Sequence, residues 1–243
     1  MNLKKNKIIF TGGSGRFGKV LKKINTKYNV FFPSKKKLNI TNYNKSENYI
    51  RKIKPKYLIH AAALSRPMNI HEKNIPNSID INIIGTCNLV KICSKYKIKL
   101  IYFSTNYVYP TGSGKYKETD SLLPWNSYAW SKLGGESAVQ MYKNSLILRI
   151  SMTEKPFLHK KAFANMNSNF MFHDSLAKNL YKLLKFKGII NVGGKTQSIY
   201  NFAKKYNPKI KKIYVKKKDE FKFPLNSTMD ISKFKKLSKK NKA

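Results

Sequence analysis

Residues 7–18 read KIIFTGGSGRFG, and this stretch decides the fold of the chain. The apolar run 7–11 predicts a buried strand, and Gly12, Gly15 and Gly18 follow it where a helix is expected to begin. Glycines at this spacing between a strand and a helix are typical of dinucleotide sites, because the pyrophosphate must approach bare backbone at a helix N-terminus. The stretch therefore predicts the first strand–turn–helix unit of a nucleotide-binding α/β domain.

The alternation of strands and helices continues to about residue 150. Further strands are predicted at 29–32, 57–60, 99–104 and 145–150, separated by segments with helical spacing of apolar residues. Nearly continuous apolar strands that alternate with helices indicate a parallel sheet covered on both faces. We predict an α/β fold in which residues 1–150 form a Rossmann-type doubly wound parallel sheet.

After residue 150 the periodicity is weaker. Residues 151–169 are interpreted as an irregular loop, and a helix is predicted over 174–185. We predict that residues 151–243 form a small, shortened substrate-binding lobe, of which residues 170–192 return to the Rossmann sheet.

The composition is strongly basic. The chain has 243 residues, with 50 Lys and Arg against 11 Asp and Glu, and a formal net charge of +39. The lysines are spread along the whole sequence and form neither an arginine-rich stripe nor a basic zipper region, so we predict no specific nucleic-acid partner. Association with nucleic acids at low salt is expected to be independent of their sequence.

Hydrophobic residues make up 41% of the chain, which excludes a disordered protein. No apolar run approaches the roughly 20 residues of a membrane-spanning helix, so no membrane insertion is predicted. Cys87 and Cys93 lie on one predicted helix and cannot pair within it, and no secretory leader is recognised, which together predict a cytoplasmic location. The four histidines lack metal-ligand spacing, and we predict no metal site.

The end of the second predicted strand bears on the choice of cofactor. NAD-dependent enzymes usually carry Asp or Glu there to hold a ribose hydroxyl, whereas this chain has Ser34 and Lys35. These residues, with Arg16 in the glycine loop, suit a 2′-phosphate, although the lysines could also be part of the general lysine excess. We predict NADP(H) rather than NAD(H).

A tyrosine and a lysine on the predicted helix 126–142 suggest a reactive site. Tyr128 and Lys132 are four residues apart and share a helix face. Chance alone would produce several such pairs in so lysine-rich a chain, but this one follows a strand that ends in Ser104 and Thr105, at the sheet edge where doubly wound folds bind ligands. The lysine is expected to lower the pKa of the phenol, which would make Tyr128 an acid–base group.

Several motifs occur in the order typical of one enzyme family. They are Thr-Gly-x-x-Gly-x-x-Gly at 11–18, His-Ala-Ala-Ala at 60–63, Asn-Ile-Ile-Gly-Thr at 82–86, Ser-Thr-Asn-Tyr-Val-Tyr at 104–109, and Tyr-x-x-x-Lys at 128–132. In these motifs the chain resembles the extended short-chain dehydrogenase/reductases. The string at 104–109, together with Leu-Asn-Ile-Thr at 38–41, resembles the dTDP-4-dehydrorhamnose reductase branch most.

The resemblance implies an NADPH-dependent oxidoreductase that reduces a nucleotide-linked 4-keto-6-deoxy sugar, as in dTDP-rhamnose biosynthesis. It implies that Tyr128 donates a proton to the ketone oxygen, that Lys132 binds the nicotinamide ribose, and that Thr105 polarises the carbonyl. A homodimer is left open. The cofactor contacts that the resemblance or the residues themselves suggest are Gly12, Gly15, Arg16, Phe17, Gly18, Ser34, Lys35, Asn39, Ala61, Ala62, Ala63, Asn82, Tyr128 and Lys132.

Two departures from the family leave alternatives open. The segment after the fifth strand, 149–153, lacks the aromatic–Tyr–Gly stretch often found there, and the C-terminal region is short. The nucleotide and the sugar therefore stay open, as does a non-catalytic NADP(H)-binding regulatory protein. A nucleotide-sugar 4-epimerase or dehydratase on the same fold is the other alternative. A dehydratase would be expected to carry an acidic pair where Thr105 and Asn106 stand, and Tyr107 replaces the cysteine of bifunctional epimerase–reductases.

Overall fold

The computed structural model describes residues 6–239. The strands in this part of the chain are β1 (Lys7–Thr11), β2 (Asn29–Phe31), β3 (Tyr57–His60), β4 (Lys99–Thr105), β5 (Ser145–Ile150), β6 (Met152–Thr153), β7 (Lys161–Phe163), β8 (Asn167–Ser168), β9 (Met171–Phe172), β10 (Gly188–Val192), β11 (Gln197–Ser198) and β12 (Lys211–Ile213). The α-helices are α1 (Arg16–Leu21), α2 (Tyr43–Ile53), α3 (Ile70–Lys73), α4 (Ile75–Ile79), α5 (Gly85–Lys95), α6 (Ser127–Gln140), α7 (His173–Leu183), α8 (Ile199–Lys204) and α9 (Ser232–Lys239). A π-helical turn, Asp80–Ile84, joins α4 to α5, and short 3-10 turns lie at Asn106–Val108 and Lys217–Lys222.

Six strands form a central parallel sheet in the order β10-β5-β4-β3-β1-β2. The register pairs Thr11 of β1 with His60 of β3, and His60 with Tyr102 of β4, so these three strands end close together. The chain runs outward in opposite directions from the β1–β3 boundary, and a doubly wound sheet opens its ligand cleft at such a point. The predicted Rossmann-type architecture is confirmed.

Alternating residues of each strand supply two hydrophobic cores, one on each face of the sheet. Ile8 and Phe10 pack on one face with residues of α1 and α7, whereas Ile9 packs on the other with residues of α2 and α5. Successive side chains of a strand point to opposite faces, so a fully apolar strand is buried on both sides. Each fully buried Ile or Phe contributes about 1.5–3 kcal/mol.

The region after β5 combines very short strands with a return to the central sheet. β10 pairs in parallel with β5, with Ile190 opposite Leu148. The interpretation of residues 151–169 as an irregular loop was wrong, because this segment contains β6, β7 and β8. These strands are two or three residues long, and their partners β9, β12 and β11 follow later in the chain. Strands so short show no sequence periodicity, since only long-range pairing defines them.

Cys87 and Cys93 are both unpaired, and Cys93 is buried. In the part of the chain that the structure describes, each helix is too short or too polar to cross a membrane. Within the same residues no group of three or more His, Cys, Asp or Glu side chains is arranged to hold a metal ion.

Candidate active site

A cleft of about 910 Å³ lies at the carboxyl ends of β1, β3 and β4. It brings together most of the residues that the sequence analysis singled out. Those that line the cleft are Gly12, Gly15, Arg16, Phe17, Gly18, Lys35, Asn39, Ala61, Ala62, Ala63, Thr105, Tyr128 and Lys132. Ser34 and Asn82 are the two predicted site residues that the lining does not include.

The glycine loop forms one wall of the cleft from bare backbone. Gly12 has a φ of +82°, and a Cβ there would lie 2.9 Å from the backbone nitrogen of Ala62. A Cβ on Gly18 would lie 2.7 Å from the carbonyl oxygen of Gly12. Real Cβ atoms do not approach backbone so closely, so the loop can adopt this shape only with glycine at these positions. The backbone therefore presents a cradle that fits a dinucleotide pyrophosphate.

The end of β2 contributes less than the sequence analysis expected. Lys35 lines the cleft, but Ser34 is exposed and its carbonyl oxygen accepts hydrogen bonds from the amides of Lys37 and Leu38, at 3.0 and 2.9 Å. Asn39 lines the cleft, and its side-chain oxygen accepts a hydrogen bond from the Thr41 hydroxyl at 3.1 Å. Ser34 therefore shapes the turn, whereas Lys35 is the cation that faces the cleft.

Asn82 supports the wall of the cleft from behind. It is buried, and its side chain binds both the amide and the carbonyl of Leu64, at 2.8 and 2.9 Å, and the hydroxyl of Ser131 at 2.8 Å. The predicted contact of Asn82 with a cofactor is therefore corrected. Its side-chain hydrogen bonds connect the loop at Leu64, which lines the cleft, to Ser131 of α6.

Lys132 is almost completely buried on α6. Its Nζ lies 4.1 Å from the centroid of the Tyr102 ring, and only 3% of the residue is exposed. Burial lowers the pKa of Lys132 to about 7, and the nearby Glu136 opposes that shift. The ammonium is therefore poised to lose its proton near neutral pH.

Tyr128 lies one turn before Lys132 on α6, and its ring lies beside those of His71 and Tyr107, with centroid distances of 5.2 and 6.5 Å. Burial raises the pKa of Tyr128, the neighbouring Tyr107 raises it further, and Arg66 opposes the shift. The expectation that Lys132 would lower the pKa of this phenol was wrong, because desolvation dominates at both residues. The phenol is consequently protonated at neutral pH.

Thr105 ends β4 and lines the cleft together with Tyr128 and Lys132. Its Oγ1 accepts a hydrogen bond from the amide of Tyr107 at 3.2 Å, which orients the side chain and leaves its hydroxyl proton to be donated elsewhere. The preceding residue, Ser104, donates a hydrogen bond to the buried carboxylate of Glu136 on α6. Glu136 also accepts from Arg149 of β5, at 3.1 and 2.6 Å. This network holds the end of β4 against the helix that carries Tyr128 and Lys132.

A model of the family described as the RmlD substrate binding domain matches residues 6–166. The chain belongs to this family. It is 30% identical over 202 residues to a dTDP-4-dehydrorhamnose reductase of Aggregatibacter actinomycetemcomitans, a match that covers 79% of this chain and 63% of that protein. The predicted resemblance to the dTDP-4-dehydrorhamnose reductases is confirmed.

Two further relatives broaden the comparison. The chain is 26% identical over 148 residues to a methionine adenosyltransferase 2 subunit beta of Pongo abelii, covering 57% of this chain and 44% of that subunit. It shares its fold with the crystal structure of a dTDP-4-dehydrorhamnose reductase from Bacillus anthracis in complex with NADP, with a TM-score of 0.85 and 24% identity. That match covers 97% of this chain and 92% of the solved one. The chain spans less than two thirds of the length of the Aggregatibacter actinomycetemcomitans reductase and of the Pongo abelii subunit, the two curated relatives compared.

This member of the RmlD substrate binding domain family also has an ion-pair cluster in the cleft that the sequence analysis missed. Arg16 forms an ion pair with Glu154 at 2.8 Å, and Arg66 forms a second with the same carboxylate at 3.4 Å. All three residues line the cleft, with His173 beside them. Arg16 was expected next to a cofactor phosphate, but in this structure Glu154 holds its guanidinium. No local motif indicates the contact, since 138 positions separate Arg16 from Glu154.

Proposed function

We propose that the protein is an NADPH-dependent reductase of a nucleotide-linked 4-keto-6-deoxy sugar. The observation that carries this proposal is that Thr105, Tyr128 and Lys132 line the same cleft as the glycine cradle. A dinucleotide laid on the glycine loop would extend toward these side chains, as hydride transfer to a ketone requires. The similarity to dTDP-4-dehydrorhamnose reductases supports the same substrate class.

The residues of the glycine-loop wall fit NADPH. The loop would hold the pyrophosphate, because its glycines leave no Cβ between the backbone and the ligand. Lys35, just after β2, would provide the positive charge that binds the 2′-phosphate of NADPH. The similar reductase from Bacillus anthracis was solved in complex with NADP. NADPH supplies a hydride when it is bound.

The protein's own residues would handle the proton. Tyr128 would donate its phenolic proton to the carbonyl oxygen, and its raised pKa keeps that proton in place at neutral pH. Thr105 would donate a hydrogen bond to the same oxygen and stabilise the negative charge that develops there. Lys132 would hold the cofactor ribose, and its pKa near 7 lets it take part in returning a proton to Tyr128.

The two alternatives differ in their support. A dehydratase is disfavoured, because Asn106 stands next to Thr105 where an acidic residue would be expected, and its amide donates hydrogen bonds to Ser227 at 3.1 and 3.3 Å. Built-in epimerisation is disfavoured because Tyr107 stands in place of a cysteine. A non-catalytic NADP(H)-binding protein that regulates a partner is favoured by one observation. A relative with 26% identity is a subunit of methionine adenosyltransferase.

Turnover separates these functions. The purified protein is given NADPH and a panel of dTDP-, UDP- and GDP-linked 4-keto-6-deoxy sugars, and the loss of NADPH absorbance is followed. Oxidation of NADPH that depends on one of these sugars is the expected result. Tight NADPH binding without turnover on any sugar would favour the regulatory alternative, and no NADPH binding would contradict both.

A cytoplasmic location fits the two unpaired cysteines and is part of this proposal. The homodimer left open by the sequence analysis stays a prediction, which sedimentation equilibrium tests.

A further inference from the structure

Arginine is rare in this chain, and two arginines lie in the cleft. Only four of the 50 Lys and Arg residues are arginines. Arg16 and Arg66 line the cleft, Arg149 is buried, and Arg51 is exposed on α2. In a chain whose usual cation is lysine, arginine at a given position indicates a need for its planar set of N–H donors, which matches the oxygens of carboxylates and phosphates.

Glu154 holds the two cleft arginines side by side. Nη1 of Arg16 lies 2.8 Å from Oε1 of Glu154, and Nη2 of Arg66 lies 3.4 Å from Oε2, so each oxygen of one carboxylate faces its own guanidinium. The side chain of Glu154 is 13% exposed, whereas those of Arg16 and Arg66 are 55% and 43% exposed. The carboxylate is therefore shielded, and the two cations are open to solvent where they line the cleft.

These three residues keep an excess of one positive charge. Burial raises the pKa of Glu154, but a backbone hydrogen bond and the two arginines lower it more, so the carboxylate is ionised at neutral pH. Burial lowers the pKa of the neighbouring His173, which is therefore neutral there. A guanidinium has five N–H donors, so its contact with one carboxylate oxygen leaves donors for a second anion. The two arginines can consequently bind an anion without losing Glu154.

The two arginines connect the glycine loop with the surroundings of Tyr128. Arg16 belongs to the glycine loop, at the start of α1. Burial raises the pKa of Tyr107 and of Tyr128, and the charge of Arg66 opposes that rise at both, which places its guanidinium close to these rings. An anion that touched Arg16 and Arg66 together would therefore lie between the glycine cradle and the candidate proton donor.

We infer that Arg16 and Arg66 form a diphosphate-binding subsite, in which both guanidiniums donate hydrogen bonds to the oxygens of one diphosphate group. Two guanidiniums side by side suit two linked phosphoryl groups, because each can bind the oxygens of one of them. The inference rests on the proposed function and deepens it, since NADPH and a nucleotide-linked sugar each carry a diphosphate. It assigns ligand binding to Arg66, a residue that no sequence motif indicates.

The test compares arginines inside and outside the cleft. Arg66→Gln and Arg16→Gln each remove one guanidinium of the subsite, and Arg66→Lys keeps the charge but removes the planar set of donors. Arg51→Gln is the matched control, because it removes the same charge at an exposed position that does not line the cleft. A fluorescence titration measures NADPH binding, and calorimetry measures the binding of dTDP to each protein saturated with NADP⁺.

Arg66→Gln and Arg16→Gln are expected to weaken the binding of the same probe about fivefold to tenfold, an effect between those of an exposed ion pair and of a buried charged hydrogen bond. A loss for NADPH identifies the cofactor's diphosphate as the ligand, and a loss for dTDP identifies that of the substrate. Arg66→Lys should weaken the same probe about twofold to fivefold. The Arg51→Gln control should bind both probes as the wild type does.

Three results would overturn the inference. They are wild-type affinity for both probes in Arg66→Gln, losses for different probes in Arg66→Gln and Arg16→Gln, and an equal loss in Arg51→Gln. Binding of neither probe by the wild type would overturn it as well. Turnover on the sugar panel judges the proposed function separately. NADPH binding that depends on Arg66 without turnover would contradict the reductase and keep the subsite, whereas turnover with normal binding in Arg66→Gln would contradict the subsite alone.

Discussion

The two walls of the cleft are built in different ways. The glycine-loop wall consists of backbone, and the charged side chains near it are open to water, with 55% of the Arg16 side chain and 43% of the Arg66 side chain exposed. The opposite wall consists of side chains from α6 and from the end of β4 that are shielded from water. Lys132 and Thr105 are at most 6% exposed. The first wall is shaped by steric fit, and we call it the binding wall after its role in the proposed function. In the second wall desolvation shifts the pKa values of the groups, and we call it the reactive wall because it carries the residues proposed to react.

The largest expected effect tests the reactive wall. Tyr128→Phe removes the phenolic proton and keeps the ring, so kcat should fall by about 10²–10⁴-fold while NADPH binding stays nearly intact. Steady-state kinetics on a sugar that the panel identifies, with a fluorescence titration of NADPH, measure both quantities. Tyr181→Phe is the control, because Tyr181 packs against Tyr28 and does not line the cleft. Nearly full activity in Tyr128→Phe would remove the distinction between the two walls.

The next effect tests the binding wall. Gly18→Ala places a Cβ against the backbone of Gly12 and Gly13, and such overpacking should lower the free energy of unfolding by about 1–3 kcal/mol. NADPH affinity should fall as well, since the loop must shift to make room. Urea denaturation and the NADPH titration measure the two effects. Gly112→Ala is the matched control, because a Cβ there meets nothing within 4 Å, and an equal loss in both variants would contradict the steric argument.

A third prediction concerns the stability cost of burying Lys132. Its pKa of about 7 in the folded protein lies below the ordinary value of about 10.4, so between these pH values the unfolded chain binds more protons. The free energy of unfolding should therefore rise with pH in this window, by at most about 1.4 kcal/mol per pH unit from this residue. Below pH 7 both states are protonated and the full penalty of the buried charge remains.

Lys132→Met removes that penalty. The variant should be more stable than the wild type at pH 7, and the difference should shrink as the pH rises toward 10. Urea denaturation of both proteins at several pH values isolates the contribution of Lys132, because the other titrating groups are common to them. A stability difference that does not vary with pH would show that the ammonium is not desolvated as the structure indicates.

The smallest expected effect concerns cofactor choice at the binding wall. Lys35→Ala should weaken NADPH binding about twofold to fivefold, the usual effect of an exposed charge pair, and should leave NADH binding unchanged. Lys36→Ala is the control, because Lys36 is exposed but does not line the cleft. Titrations of each variant with NADPH and with NADH measure the ratio of the two affinities. Equal effects of the two substitutions would indicate that the overall positive charge of the protein, rather than Lys35 itself, attracts NADPH.

The sequence predicts the binding wall better than the reactive wall. A glycine between a strand and a helix has a local steric reason, and the alternation of Ile8, Ile9 and Phe10 between two cores follows from strand geometry. The placement of Tyr128 in the cleft, in contrast to the tyrosines of the other Tyr/Lys pairs, could also be predicted from the strand that precedes it. By contrast, the sequence analysis placed Asn82 at the cofactor, although its hydrogen bonds to Leu64 and Ser131 commit it to the wall behind.

The sequence by itself determined the parallel α/β sheet, the glycine cradle and the helix that carries Tyr128 and Lys132, because each follows from a pattern of residue types that can be recognised along the chain. Only the tertiary structure decided the directions of the pKa shifts of that pair, the ion pair of Arg16 with Glu154, and the burial of the Trp125 N–H without a hydrogen-bond partner among residues 6–239. Desolvation and long-range pairing depend on which distant segments pack around a group. For that reason the Tyr-x-x-x-Lys spacing alone does not predict whether the pKa of the tyrosine is raised or lowered.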